Sequence, residues 1–212
     1  NLVIGSLAPL RGELRVLGES PAAQRRAGNI AYMAQQENME WDFPISVRDT
    51  VLTGRYGLMR HDPLWRRLAP RHWADPSHRQ AVEAALDAVD MADYALRPIG
   101  ELSGGQKKRV MLARALAQQA RILLLDEPLA GVDPPSEALI LDTLERERRA
   151  GRTVIMVTHD MPSARVHADN VLLINRTLVG MGAPDEMLSD AMLARLAVGD
   201  RGALSGGERV AA

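Results

Sequence analysis

The sequence predicts an α/β fold built on a parallel sheet, and three observations carry that expectation. Short apolar runs closed by polar residues, "ILLL" at 122 to 125 and "TVIMV" at 153 to 157, have the length and composition of buried parallel strands. Around them lie stretches whose leucines and alanines recur at helical spacing. The alternation of the two patterns is what crossover connections between parallel strands require.

Composition bounds the class. A chain of 212 residues has room for one domain with a subdomain, but not for two large ones. With 46% hydrophobic and 25% charged residues it has the balance of a globular protein, not of a disordered one. A formal net charge of −1 and 3% aromatic residues leave neither the field nor the stacking surface of a nucleic-acid binder. Cysteine is absent, which excludes disulfides, thiolate metal sites and a cysteine nucleophile. No apolar run approaches the roughly 20 residues of a spanning helix.

In chain order, "NLVIGSLAPL" reads as the tail of an apolar helix broken by Pro9 and Gly12, and "GELRVLG" as a strand closed by Gly18. "GNIAYMAQ" is a second strand with Gln35 at its end. Residues 41 to 74, rich in Pro, Arg and His, read as short helices and loops. Asp75 caps a helix with Pro76 at its first position, and Ala81, Val82, Ala85, Leu86 and Val89 share one face. After "LSGGQ" a helix is expected from Gly105 to Gln119, then the strand "RILLLDEP". A charged helix comes next, from Ser136 to Arg149, and "TVIMVTHD" is the next buried strand. "VLLINRTLVGMG" reads as two strands around a turn and 184 to 198 as a last helix; residues 201 to 212 read as a flexible tail.

Chemistry is expected at the carboxyl ends of the strands, where ligands of parallel sheets collect. Gln35, Asp126 with Glu127, and His159 with Asp160 all fall there. In "ILLLDE" two carboxylates emerge where the buried run stops, and the strand pleat points neighbours opposite ways, so one acid can hold a cation while the other orients a water. An acidic turn after a core strand is the plain alternative. His159 alone fits a satisfied strand-end histidine as well as a catalytic group. In "SGGQ", two glycines let the backbone approach an anion at a helix tip, and Ser103 adds a hydroxyl. The basic "KKR" one turn on adds favourable charge for an anion or, on the plainer reading, forms a solvated helix face. His61, His72 and His78 lack a metal-ligand spacing and read as surface residues.

In order and spacing these pieces resemble the ATP-binding cassette family. "LSGGQKKRVMLARAL" is similar to the family signature and its helix, "ILLLDEP" to the Walker B strand, "GVD" at 131 to 133 to the D-loop, "VTHD" to the switch histidine and "YMAQ" to the strand before the Q-loop. The resemblance implies a P-loop NTPase-like parallel sheet with an inserted helical subdomain. It places one nucleotide-binding domain at 1–200, with its core in 1–40 and 119–185 and the helical part in 41–118. It implies ATP and Mg²⁺ as cofactors, with Gln35 and Asp126 as metal ligands, Glu127 polarising the attacking water and His159 contacting the terminal phosphate. Ser103, Gly104, Gly105, Gln106 and Asp133 would face nucleotide in a dimer, the signature residues facing ATP held by the second subunit.

No GxxxxGK[ST] phosphate loop occurs in the chain. Its first residues resemble the helix, "P..GE" turn and strand that lie just past that loop in the family, so the expectation is a chain read from immediately after it. A degenerate cassette that only donates its signature to a partner is the alternative. "ENMEWDFPISVRDTVLTGRYG" resembles cassettes of manganese and zinc importers, with Trp41 and Phe43 as anchors on a permease or as core filling. Implied partners are an integral-membrane permease, a second ATP-binding subunit and, indirectly, an extracytoplasmic metal-binding protein, with no nucleic acid; the implied location is the cytoplasmic face of the membrane. A second "LSGG" at 204 to 207 has too little chain after it to form a helix.

Overall fold

Four successive apolar residues, Ile122 to Leu125, are buried because their strand is covered along both edges and both faces. In the computed structural model, which describes residues 3–7, 9–35, 44–60, 75–175 and 177–198, β2 (Ile122–Asp126) is the middle strand of a three-stranded sheet. It pairs in parallel with β1 (Ile30–Met33) and with β3 (Thr153–Val157). Trp41, Phe43, His61, His72, the tail and the second "LSGG" lie outside the described residues.

Among the described residues, the sheet and six α-helices make up a first compact unit that runs to Val157. The helices are α1 (Pro21–Arg26), α2 (Val47–Thr53), α3 (Tyr56–Met59), α4 (Pro76–Ala88), α5 (Gly104–Ala117) and α6 (Pro134–Arg149). Val51 of α2, Val82 and Leu86 of α4, and Val110 and Leu112 of α5 meet Leu123 and Leu125 in one core. Each such buried side chain contributes about 1.5–3 kcal/mol. Asp75 caps α4 by accepting from the Ser77 amide at 2.9 Å, with Pro76 in the first turn. A helix is seated there because the cap and the apolar face agree.

Several expectations change. Residues 3–7 form turns instead of a helix tail, because Gly5 has a φ of +67°, which right-handed helix does not permit. "GELRVLG" gives an isolated bridge between Val16 and Glu19, not a strand, since Leu17 and Gly18 both adopt positive φ, 50° and 83°, and turn the chain at once. β3 is not buried: Ile155 and Val157 are 40% and 52% exposed. Among the described residues only β2 pairs with it, so its apolar composition reports what the strand can bury, not what covers it. α6 begins at Pro134, two residues before the expected start, because Asp133 supplies the cap.

His78 is the clearest correction in the helical part. It is 5% exposed, not a surface residue, and its Nδ1 accepts a hydrogen bond from Arg55 Nε at 3.0 Å. That bond needs a lone pair on Nδ1, so the ring proton sits on Nε2. Arg55 also donates through Nη1 to the Ala117 carbonyl at 2.8 Å and to Gln119 Oε1 at 3.0 Å. The guanidinium thereby fastens the end of α2 to the last turn of α5. Gly54 permits the approach: a Cβ there would lie 2.2 Å from the Arg114 carbonyl oxygen.

A second compact unit begins at Thr158. It contains α7 (Met161–His167), an antiparallel pair β4 (Val171–Asn175) and β5 (Thr177–Gly182), α8 (Pro184–Met187) and α9 (Asp190–Val198). Ala164, Leu173, Met187 and Leu188 form its core. The single helix expected over 184 to 198 is divided at Leu188 and Ser189, where Ser189 Oγ donates to the Glu186 carbonyl at 2.8 Å. No helix among the described residues is long and apolar enough to cross a membrane.

Candidate functional site

The sheet brings Gln35, Asp126 and Glu127 to one edge, as the strand ends require. Parallel register pairs Met33 with Leu125, so Gln35, two residues past β1, leaves the sheet beside the acidic pair. Asp126 is the last residue of β2 and is half-buried. Its Oδ2 accepts from the Tyr32 hydroxyl at 3.3 Å. Tyr32 pairs with Leu124, and Leu124 and Asp126 share a face because the pleat repeats every two residues. Tyr32 joins the candidate site through this bond, and sequence reasoning missed it. Its signal was a lone phenol inside the otherwise apolar strand "IAYM".

Glu127 departs from the expectation that the pleat separates the two carboxylates. Its φ is +49°, in the left-handed region, so strand geometry ends at Asp126 and a local reversal sets the direction of Glu127. For a non-glycine residue that conformation costs of order 1 kcal/mol and persists only where surrounding bonds over-determine it. Here they do. The Glu127 amide donates to the Val157 carbonyl at 2.9 Å, and its own carbonyl accepts from the Ala130 amide at 3.3 Å and from Lys108 Nζ at 3.2 Å. Lys108 is therefore turned to the strand ends, which corrects its reading as part of a solvated face.

The tip of α5 is organised by its own residues. Ser103 Oγ accepts from the Gln106 amide at 3.3 Å, and Gln106 Oε1 accepts from the Ser103 amide at 2.9 Å. This reciprocal capping box engages both side chains. The first-turn amides of Gly104 and Gly105 are left without a partner among the described residues, which is the donor array an anion meets at a helix N-terminus. The two glycines differ. A Cβ on Gly104 would meet nothing within 4 Å, whereas one on Gly105 would lie 2.2 Å from Asp133 Oδ1 and 3.0 Å from Ser136 Oγ. Gly105 is a packing requirement as well as an open backbone.

Asp133 is engaged as the cap of α6, accepting from the Ser136 amide at 3.2 Å through Oδ2. The Ser136 amide, joined by the Ser136 hydroxyl and the Arg109 charge, holds its carboxyl below the usual range against the opposing effect of partial desolvation. His159 lies in the second unit, exposed, in the turn before α7. Beside it, Asp160 caps α7 by accepting from the Ser163 amide at 3.1 Å and donates its own amide to Thr158 Oγ1 at 3.0 Å. A cavity of about 270 Å³ lined by Gln119, Arg121, Arg152 and Thr153 lies at the amino ends of β2 and β3, opposite the acidic edge. None of the candidate site residues at the carboxyl edge lines this cavity.

Carboxylate and amide oxygens at the strand ends are the hard donors that suit Mg²⁺. One or two protein ligands are what that ion uses alongside phosphates.

Comparison with known proteins identifies the family and the fold. The sequence pattern described as "ABC transporter" matches residues 1–130. The manganese transport system ATP-binding protein MntA of Synechocystis sp. is 39% identical over 184 residues, covering 87% of this chain and 67% of that protein. MntB of Halalkalibacterium halodurans, also a manganese transport system ATP-binding protein, is 38% identical over 184 residues, covering 87% and 69%. Among solved structures, a transporter described as metal-chelate type, in an inward-facing conformation, superposes with a TM-score of 0.75 at 26% identity over 93% of this chain and 71% of that one. An ATP-binding cassette in its ADP conformation shares the fold, with a TM-score of 0.67 at 20% identity over 86% and 72%.

Proposed function

This chain belongs to the ABC transporter family, and from that premise we propose that it is the ATP-hydrolysing subunit of a manganese importer, working as a dimer against an integral-membrane permease. The similarity to manganese transport ATP-binding proteins supports the cargo. We place a single nucleotide-binding domain over 1–200. The observation that carries the hydrolytic role is Glu127, held in a left-handed conformation by three hydrogen bonds beside Asp126.

In this reading Asp126 and Gln35 hold Mg²⁺, Asp126 being oriented by the Tyr32 hydroxyl. When bound, the ion neutralises charge that builds up on the phosphates during transfer. Glu127 orients the attacking water and accepts its proton, a role that needs a positioned carboxylate and no covalent step. His159 contacts the terminal phosphate. The tip of α5 serves the other nucleotide: the Gly104 and Gly105 amides face ATP held by the second subunit, with Ser103 and Gln106 shaping the tip. Asp133 holds α6 against Gly105 and so keeps the tip in register.

The subunit acts at the cytoplasmic face of the membrane, and the ion passes through the permease. A degenerate cassette would leave Glu127 no task; the strain stored there favours the enzyme. In the full chain assembled with its permease, Glu127→Gln should retain ATP and lose turnover by about 10²-fold or more. In cells, manganese uptake should fall in parallel while zinc uptake is unchanged. Undiminished hydrolysis in the variant removes the role given to Glu127, and loss of zinc uptake instead of manganese reassigns the cargo.

A further inference from the structure

Lys108 sits one turn beyond the tip of α5 and is half-buried. Its ammonium donates to the Glu127 carbonyl at 3.2 Å and to the Gln35 carbonyl at 3.3 Å. One ammonium can serve both because its three N–H groups diverge. The two carbonyls belong to residues that leave adjacent strands at the same edge, and among the described residues neither strand pairing nor helix capping fixes one against the other.

We propose that Lys108 is a positioning residue for ATP hydrolysis: it ties the Gln35 backbone to the Glu127 backbone and holds Glu127 in the left-handed conformation that aims its carboxylate. The inference rests on the hydrolytic role given to Glu127 above. The Val157 carbonyl fixes the amide side of Glu127, and its carbonyl side is shared by the Ala130 amide and Lys108, so removing the lysine takes away the tertiary half of what holds the carbonyl end of a strained residue. A second consequence comes from its place on α5. The helix whose tip faces one nucleotide holds, one turn later, the backbone of the residue whose carboxylate acts on the other, so a shift of α5 at either site is conveyed to its neighbour through Lys108.

The test uses the full chain assembled with its permease and compares Lys108→Met, Lys108→Gln and Lys108→Arg by steady-state ATP hydrolysis and thermal unfolding. Lys108→Met should lower kcat by about tenfold to a hundredfold, the scale on which misplacement of a catalytic group is felt. KM for ATP should stay within about twofold, since uniform binding is untouched, and the melting temperature should hold. Lys108→Gln and Lys108→Arg, which keep donors, should recover most of the turnover. Unchanged kcat in Lys108→Met overturns the proposal, as does a loss that the donor-bearing variants fail to recover or that tracks a fall in melting temperature. Should Lys108→Met not assemble, Lys108→Leu takes its place: a loss of turnover that Lys108→Gln recovers supports the role, and unchanged turnover overturns it. Glu127→Gln is run in parallel. If it still hydrolyses ATP, the reading of Glu127 fails; if it does not and Lys108→Met does, only the lysine inference fails.

Discussion

The strand-end edge and the tip of α5 carry complementary chemistry, acids on one and amides on the other, yet they are built by opposite means. At the tip, Ser103 and Gln106 satisfy each other across three residues, and the helix supplies the rest. At the edge, Asp126 is held by Tyr32, and the backbones of Gln35 and Glu127 by Lys108, partners far away in sequence. A helix N-terminus is a local device and survives wherever its cap is present. A strand-end site exists only after the sheet has formed, so its geometry inherits every error in the packing beneath it.

Gly105 is where that contrast is sharpest, because it belongs to the tip but packs against Asp133. Gly105→Ala should cost about 1–3 kcal/mol through overpacking, displacing the cap of α6, whereas Gly104→Ala should leave thermal stability unchanged. Equal melting temperatures for the two variants would show that the tip is independent of α6. Ser103→Ala comes next: loss of the cap should cost about 1 kcal/mol, lowering the melting temperature by roughly 2–4 °C for a chain of this size. No shift would mean that the capping box is not what orders the tip.

The smallest effect is expected on α6, away from both regions. Arg148, with Arg149 adding to it, holds the Glu145 carboxyl down from its ordinary 4.5 to about 2. A depressed folded-state value means that this contribution is complete above pH 4.5 and is lost as pH falls toward 2. Glu145→Gln should therefore narrow the gap between melting temperatures at about pH 6 and about pH 3. An unaltered acid profile would show that these surface pairs contribute nothing, as many do not.

Legibility in the sequence divides along the same line. Local devices were legible: the Asp75 cap with Pro76, the signature helix and the strand "ILLLD" all appear within two residues of their expected bounds. The residues of the acidic edge were legible by position, since a buried run must end somewhere and polar groups mark the end. Their holders were not. Nothing in "IAYM" says that its phenol reaches a carboxylate 94 residues away, and "KKR" has the same composition on a solvated face as beside the Glu127 backbone. Burial of β3 was misread for a related reason, because composition states capacity and only the neighbours decide cover. His78 was misread because its partner, Arg55, comes from the turn between α2 and α3, 23 residues away.

Acids of one protomer and the amide tip of the other are held to enclose the same nucleotide. Mixed dimers carrying Glu127→Gln and Gly104→Asp probe that arrangement, since Gly104 has open space around it and accepts a side chain without a clash. With the two changes on different protomers, one site keeps both its acid and its tip, and ATP hydrolysis should persist. With both changes on one protomer and none on the other, each site loses one element and hydrolysis should stop. The reverse order, activity with both changes together and none when they are split, would place each site within a single protomer and overturn the shared enclosure.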